Sequence, residues 1–307
     1  MDEAVDQAVD QAVDRAVDGA VAGAVAVLLA GRPLVVLTGA GLSTDSGIPD
    51  YRGPQAPARM PMTYAEFRSG PSARRRYWAR SHVGWSTMSA AMPNDGHRAL
   101  ARLEERGAVS LLVTQNVDGL HEAAGSTRVC ALHGRIAEVV CVDCGAVTSR
   151  RRLQDRMRVA NPGWRERHDD AVVRPDGDVE LDATDDFVVP GCDDCGGVLK
   201  PHVVFFGENV PADRVGRCYD AVGSLAETGG VLLVVGSSLT VMSGLRFVKA
   251  AARDGVPVVI ANRGPTRGDP LATHRLHSGA TPFLVALAEL SELSPPGAVA
   301  PSDNAVR

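Results

Sequence analysis

The sequence predicts a doubly wound α/β fold, built on a mostly parallel, Rossmann-like sheet with a smaller domain set into it. Three observations predict this. Four short runs rich in Val, Leu and Ile are spaced along the chain, helical stretches separate them, and each run ends in small or polar residues. Unbroken apolar runs suit strands covered on both faces, as in parallel sheets. Strand and helix in alternation give the doubly wound arrangement.

Taken in order, residues 1–22 form a low-complexity lead-in. Within it, residues 4–19 read Ala-Val-Asp-Gln twice, then Ala-Val-Asp-Arg and Ala-Val-Asp-Gly. Four residues slightly overshoot a helical turn, so the valines form a drifting stripe. The segment reads as a helix or frayed arm, with a partner-binding helix as the alternative. Ala20 to Ala30 is apolar but falls short of the ~20 residues needed to span a bilayer. It reads as a buried or half-buried helix, and no membrane association is expected.

The four strand candidates follow. Leu34–Thr38 runs into Gly39-Ala40-Gly41, and Val109–Thr114 into Gln115-Asn116-Val117-Asp118. Val231–Val235 runs into Gly236-Ser237-Ser238, and Val256–Ala261 into Asn262-Arg263. Asn94 to Arg106 and Ala212 to Glu227 are helical between them. In such sheets ligands bind beyond the carboxyl ends of the strands, and all four ends carry Gly, Ser, Asn or Asp. The main domain spans 23–292, with its sheet-forming parts at about 23–51, 93–137 and 201–292. Residues 52–92, with Trp78 and Trp85, and 138–200 interrupt the pattern as insertions that make the smaller domain. Arg74-Arg75-Arg76 in the first insertion reads as a solvated helix face. The tail 293–307, with Pro295, Pro296 and Pro301, is expected to be disordered.

Composition narrows the class. Apolar residues make up 45% and charged residues 22% of 307, enough for a sizeable core. A net charge of -5 argues against direct nucleic-acid binding. The start Met1-Asp2-Glu3 lacks the positive charge of a secretory signal, so the cytoplasm is the expected compartment. There, disulfides are rare and paired cysteines point to metal or redox chemistry.

Of the six cysteines, Cys141-x-x-Cys144 and Cys192-x-x-Cys195 form two such pairs. Four thiolates close a tetrahedral zinc site with no open position, so the expected zinc is one ion and structural. Gly145 and Gly196-Gly197 follow the pairs and suit turns that aim backbone N–H groups at sulfur. The inserted domain is therefore read as zinc-binding and helical. A redox role for either pair is the alternative, disfavoured because neither pair opens a helix after a strand. Cys130 and Cys218 read as packed thiols.

The remaining candidates are ambiguous one by one. Gly39-Ala40-Gly41 after a strand lets the backbone approach a phosphate. Thr44 stands where a dinucleotide fingerprint has its third glycine, so a plain tight turn explains the segment equally well. Ser43 to Gly53 is a loop by its Gly, Pro and Gly punctuation, offering Ser43, Ser46, Asp50, Tyr51 and Arg52 to a nucleotide. Asn116 and Asp118 suit ribose hydroxyls or, equally, a helix N-cap. His133, followed by Gly134, is a general base or a structural histidine. Lys200 to Glu208 is a core strand or, if exposed, an edge that pairs with a peptide, Val204, Phe205, Phe206 and Gly207 lining an apolar channel with Val241.

Taken together, these segments resemble the sirtuin (Sir2) family of NAD-dependent protein deacylases, from about Leu34 to Leu287. The motifs are Gly39 to Arg52, Thr114-Gln-Asn-Val-Asp-Gly-Leu-His121, His133-Gly134, the two cysteine pairs, Val204 to Glu208 and Gly236-Ser-Ser238, in family order. Tyr51, Asn161-Pro-Gly-Trp164, Pro175-Asp-Gly-Asp178 and Gly264-Pro-Thr-Arg267 are similar to the class II, sirtuin-four-like branch. The resemblance implies NAD as co-substrate and acylated-lysine proteins or peptides as partners. It implies phosphates near Gly39, Ala40 and Gly41, and adenosine near Gly236, Ser237, Ser238, Asn262 and Arg263. Nicotinamide lies near Ser46, Ile48, Asn116 and Asp118. His133 is the implied base on the ribose hydroxyls, with Asn116 and Asp118 as the other catalytic positions and Gln115 at the cofactor. The implied products are free lysine, nicotinamide and O-acyl-ADP-ribose. Competing readings are protein mono-ADP-ribosyl transfer from the same site and a non-enzymatic NAD-sensing scaffold.

Overall fold

The computed structural model describes residues 31–50, 61–168 and 183–293, with isolated positions 23, 25, 26, 29, 179 and 181. The N-terminal repeat, Tyr51, Arg52, Pro175 to Asp178 and the tail from Ser294 lie outside the described residues. In chain order the strands are β1 (Leu34–Thr38), β2 (Val109–Thr114), β3 (Val129–Ala131), β4 (Gly134–Cys141), β5 (Val147–Ser149), β6 (Leu199–Val203), β7 (Val231–Val235), β8 (Val258–Ala261) and β9 (His274–Leu276). The helices are α1 (Tyr64–Arg68), α2 (Pro71–Ala90), α3 (Asp95–Glu105), α4 (Leu120–Ala123), α5 (Arg150–Ala160), α6 (Ala212–Thr228), α7 (Met242–Arg253) and α8 (Ala280–Leu293).

Six strands form one parallel sheet in the order β3-β2-β1-β7-β8-β9. The chain winds outward from β1 through β2 and β3, then returns to β7 beside β1 and winds the other way. The strand order reverses between β1 and β7, and ligand crevices open at such switch points. Alternation along the strands sends side chains to two cores. Leu34, Val36, Leu112 and Leu233 pack with Leu100 and Leu103 of α3 and Phe283, Leu284 and Leu287 of α8. Val35, Leu37, Val113 and Val234 pack with Val222 and Leu225 of α6 and Leu245, Phe247 and Val248 of α7. Val25, Ala26 and Leu29 are helical and buried in the first core, as the apolar run before β1 predicts.

One strand end differs from expectation. β8 begins at Val258, not Val256, because Pro257 has no N–H to give the ladder. β3 and β9 were not read from the sequence; each is three residues long at a sheet edge. Helix α3 matches its expected span: Asn94 caps it, accepting from Gly96 N at 3.0 Å and His97 N at 3.2 Å.

The inserted segments build a second core. β5-β4-β6 form an antiparallel sheet, and Phe67, Tyr77, Trp78, Leu153, Trp164 and Phe187 pack against it. Trp78 Nε1 donates to Leu199 O at 3.0 Å. Arg150 is fully buried, its guanidinium 5.2 Å from the Trp78 ring and 4.9 Å from the Trp85 ring. The Arg74 to Arg76 run is half-buried, not a solvated face, and Arg75 donates to Asp185 O at 2.6 Å. Cys130 and Cys218 are packed as expected, but against each other, with sulfurs 3.5 Å apart.

Candidate functional site

Gly39 and Gly41 lie at the switch point. Gly39 N donates to Val235 O at 3.2 Å and Gly41 N to Gly236 O at 2.9 Å. A β-carbon on Gly39 would sit 2.7 Å from Ser237 Cβ and 2.8 Å from Gly236 O. The glycines are thus required by the close approach of two main chains, and these two N–H groups bond β7 and its end. Gly236 itself has φ 62°, and its β-carbon would meet Leu42 N at 2.6 Å.

The loop after β2 is tied to this turn. Asn116 Nδ2 donates to Gly39 O and to Ser43 Oγ, both at 3.0 Å. Ser43 Oγ donates to Asp118 Oδ2 at 2.7 Å, and Leu120 N donates to Asp118 Oδ1 at 2.9 Å. The N-cap of α4 is thus Gly119, with Asp118 one residue earlier taking Leu120 N, while its second oxygen turns to the glycine loop. Burial raises its carboxyl above the ordinary value, against the lowering by those two bonds. Behind it, His121 Nε2 meets Thr38 Oγ1 at 2.9 Å, Thr38 donates to Thr114 Oγ1 at 2.9 Å, and Asn116 N donates to Thr114 Oγ1 at 3.1 Å.

His133 follows β3 and is half-buried. Its Nδ1 lies 2.8 Å from Gln115 O, and a carbonyl can only accept, so Nδ1 carries the proton. Nε2 is left as the lone pair. Burial lowers the ring to about 4, with the Gln115 carbonyl opposing. Gly134 has φ 84°, and any β-carbon there would overlap His202 O.

The Lys200 to Glu208 run is not one strand. β6 ends at Val203, and Phe205 to Glu208 closes a turn in which Glu208 N donates to Phe205 O and Phe205 N to Glu208 Oε2. Val204 N donates to His133 O and Tyr64 N to Phe206 O. Val204 N and Phe206 O are therefore already bonded within the chain. Lys200, 6% exposed along its side chain, ion-pairs with Glu208 at 3.0 Å beneath the Phe205 ring.

A cavity of about 1180 Å³ opens over these elements. Gly39, Ala40, Gly41, Ser43, Ile48 and Asp50 line it from the first loop, and Gln115, Asn116, Asp118 and His133 from the second. Gly236, Ser237, Ser238, Val241, Asn262 and Arg263 line the β7 and β8 side, and Val204, Phe205, Phe206 and Gly207 the mouth toward the inserted core. Ser46 does not line it; its hydroxyl accepts from Asn94 Nδ2 at 3.0 Å. Several lining residues had no signal in the sequence: Met62 and Tyr77 from the insertion, Ile136 on β4, and Ser243 and Arg246 on α7. Each reaches the cavity only through the packing of separate elements.

The four paired cysteines meet in the inserted module, their sulfurs all within 4.8 Å of one another. Cys141 and Cys195 Sγ are 3.5 Å apart, and Cys144 and Cys192 Sγ 3.8 Å. Zinc–thiolate bonds of ~2.3 Å in a tetrahedron place sulfurs about 3.8 Å apart, so the set fits zinc. Gly145 N bonds Cys141 O and Gly196 N bonds Cys192 O, at φ 77° and 72°. Backbone N–H groups of Cys144 and Asp143 favour the Cys141 thiolate, lowering it to about 7.

The Sir2 family model matches residues 39–243. NAD-dependent protein deacetylase 1 of Mycobacterium avium is 51% identical over 271 residues, covering 87% of this chain and 94% of that protein. NAD-dependent protein deacetylase 1 of Streptomyces coelicolor is 52% identical over 260 residues, covering 83% and 85%. A solved structure of Sir2 with a p53 peptide and NAD superposes with a TM-score of 0.66 at 32% identity, covering 86% of this chain and 95% of that one.

Proposed function

The chain belongs to the Sir2 family, and we propose that it is an NAD-dependent deacylase acting on lysine side chains of proteins. The observation that carries this is His133. Its Nδ1 is anchored on the Gln115 carbonyl, which leaves Nε2 as a proton acceptor on a cavity lined by both the glycine turn and the Val204 to Gly207 segment. Bound NAD supplies an ADP-ribosyl group whose bond to nicotinamide breaks, and the acyl group ends on the ribose.

The chain's own residues divide the work. Gly39, Ala40 and Gly41 border the phosphates at the switch point, supported by their place on the cavity, the Gly39 and Gly41 N–H groups being bonded to Val235 O and Gly236 O. Ser237, Ser238, Asn262 and Arg263 hold the adenosine half on the β7 and β8 side. Ile48, Asn116 and Asp118 enclose the nicotinamide, supported by the bonds that fix Asn116 and Asp118 on Ser43. Ser46 is omitted from this set because its hydroxyl faces Asn94. Tyr51 and Arg52 join the same loop on resemblance alone. His133 accepts a ribose hydroxyl proton at Nε2. An amide oxygen is a poor nucleophile, so positioning between these two walls supplies much of the acceleration. The acyl-lysine enters along Val204, Phe205, Phe206, Gly207 and Val241.

Zinc is held by Cys141, Cys144, Cys192 and Cys195; its coordination is complete without substrate, so its part is structural. Residues 52–92 and 138–200 form the smaller domain around it and 23–292 the catalytic unit. Assignment to the class II branch is supported by Tyr51, Asn161 to Trp164 and Gly264 to Arg267. Among the described residues no helix is long and apolar enough to cross a membrane, and we place the enzyme in the cytoplasm. The test is a panel of acylated peptides with NAD, read by mass spectrometry. Loss of an acyl group coupled to NAD consumption is expected. Label from NAD appearing on protein instead would favour mono-ADP-ribosyl transfer.

A further inference from the structure

The proton-accepting nitrogen of His133 already has a partner inside the chain. Ser243 Oγ lies 2.8 Å from Nε2. Since Nδ1 carries the ring proton toward Gln115 O, the serine hydroxyl must be the donor and Nε2 the acceptor. Both ring nitrogens are therefore held, one by the end of β2 and one by the first turn of α7.

The surrounding geometry makes this a built arrangement. Ser243 is half-buried, lines the cavity with His133, and is followed by Gly244. A β-carbon on Gly244 would sit 2.7 Å from Gln115 Oε1, so any side chain there would push the Gln115 amide out of place. Gln115 Nε2 in turn donates to Ser237 Oγ at 2.7 Å. Gln115 thus fixes the helix start and the histidine together. The first turn of α7 also presents the positive end of the helix dipole, which disfavours an imidazolium nearby.

We infer that Ser243 is a positioning residue for His133: its hydroxyl orients the ring and keeps Nε2 an unprotonated lone pair aimed into the cavity. This rests on the reading of His133 as the base. A hydrogen bond donated to Nε2 stabilises the neutral ring and cannot be made by the imidazolium, because that nitrogen then carries its own proton. The bond therefore acts in the same direction as burial, which lowers the ring to about 4. Among the described residues the charged group acting on the ring is Arg214 on α6, and Asp50, Asp118, Glu208, Arg246, Arg263 and His277 line the same cavity. None is altered by substitution at 243.

The experiment uses the zinc-loaded full chain and two variants, Ser243→Ala and Ser243→Thr. Side-chain NMR follows the His133 ring through a pH titration without substrate, with His133→Asn to assign the signal. Loss of one hydrogen bond of ordinary strength should raise the midpoint by about half to one pH unit in Ser243→Ala. Ser243→Thr, which keeps the hydroxyl, should stay near the wild-type value. The acid limb of kcat/KM with NAD and an acylated peptide should move up by the same amount in Ser243→Ala only, with KM for NAD little changed. An unchanged titration midpoint in Ser243→Ala overturns the inference, as does an equal shift in both variants. So does an acid limb that stays in place while the ring midpoint moves. If the ring titrates as stated but no acyl peptide is consumed by the wild type, the functional reading fails while the Ser243–His133 contact stands.

Discussion

Gly39→Ala tests whether the switch point is set by contact between two main chains. Gly39 has φ -135° and ψ -175°, extended backbone that alanine adopts without strain, so the effect isolates the added methyl group. That carbon would meet Ser237 Cβ at 2.7 Å, Gly236 O at 2.8 Å and Ser237 Cα at 2.9 Å. Ordinary contact begins at 3.4 Å, so the β7 end must retreat by about 0.7 Å from atoms that are mostly backbone. The two bonds joining Gly39 and Gly41 to β7 stretch with it. Overpacking of this kind costs about 1–3 kcal/mol, which lowers Tm by roughly 2–10 °C in a chain of this size. A displacement approaching 1 Å at the proposed phosphate site should also cut kcat/KM for NAD by about 10- to 100-fold. Thermal melts and steady-state kinetics read the two effects. Gly216→Ala is the control, because Gly216 lies within α6 with nothing within 4 Å of the added carbon. It should stabilise by about 0.5–1 kcal/mol through helix propensity. If Gly39→Ala melts like the wild type and uses NAD normally, the close approach of β1 and β7 is not what the glycine serves.

Three further expectations follow from particular residues. His97 and His121 are fully buried, and burial lowers both rings, His97 from 6.5 to about 4. Their contribution to stability is therefore complete above pH 6.5. Below it the unfolded chain binds protons that the folded chain refuses, and stability falls toward pH 4 by about 1.4 kcal/mol per pH unit for each ring. Urea midpoints at pH 7, 6 and 5 measure this, and a flat profile contradicts it. Metal analysis should give about one zinc per chain, lost in Cys192→Ser, and chelation should lower Tm; metal-free protein that melts normally refutes the structural role. Lys200→Met takes the cation from the half-buried Glu208 carboxylate and should destabilise by about 1–3 kcal/mol. It should raise KM for the peptide more than KM for NAD, because Glu208 also holds Phe205 N; equal effects on both would sink that assignment.

The sheet was legible because its central strands are buried on both faces and so read as unbroken Val and Leu runs, and the ligand end was legible because glycine and polar residues cluster there. The edge strands β3 and β9 were not, since three residues carry no period. The cysteine pairs announced themselves by spacing, although 47 residues separate them. Asn116 and Asp118 divided between ribose contacts and an N-cap; the N-cap of α4 is Gly119, and Asp118 takes Leu120 N with one oxygen and Ser43 Oγ with the other. The Lys200 to Glu208 run misled, because a hydrophobic stretch does not reveal that Gly207, at φ 79°, and the Glu208 carboxylate fold it into a turn. Ser243 was silent: nothing in its neighbours marks it, and it meets His133 only through the packing of α7 against the end of β2. The wall formed by Met62, Tyr77 and Ile136 was hidden for the same reason, being assembled from three separate elements.

Under the proposed function this cavity couples consumption of NAD to removal of an acyl group from lysine, with His133 as the base. The most direct measurement is product stoichiometry from the zinc-loaded chain given NAD and an acylated peptide, followed by mass spectrometry in parallel with His133→Ala. Equimolar free-lysine peptide, nicotinamide and O-acyl-ADP-ribose from the wild type, and none from a folded His133→Ala, is the predicted result. Acyl removal that proceeds without NAD, or that survives intact in His133→Ala, would contradict it.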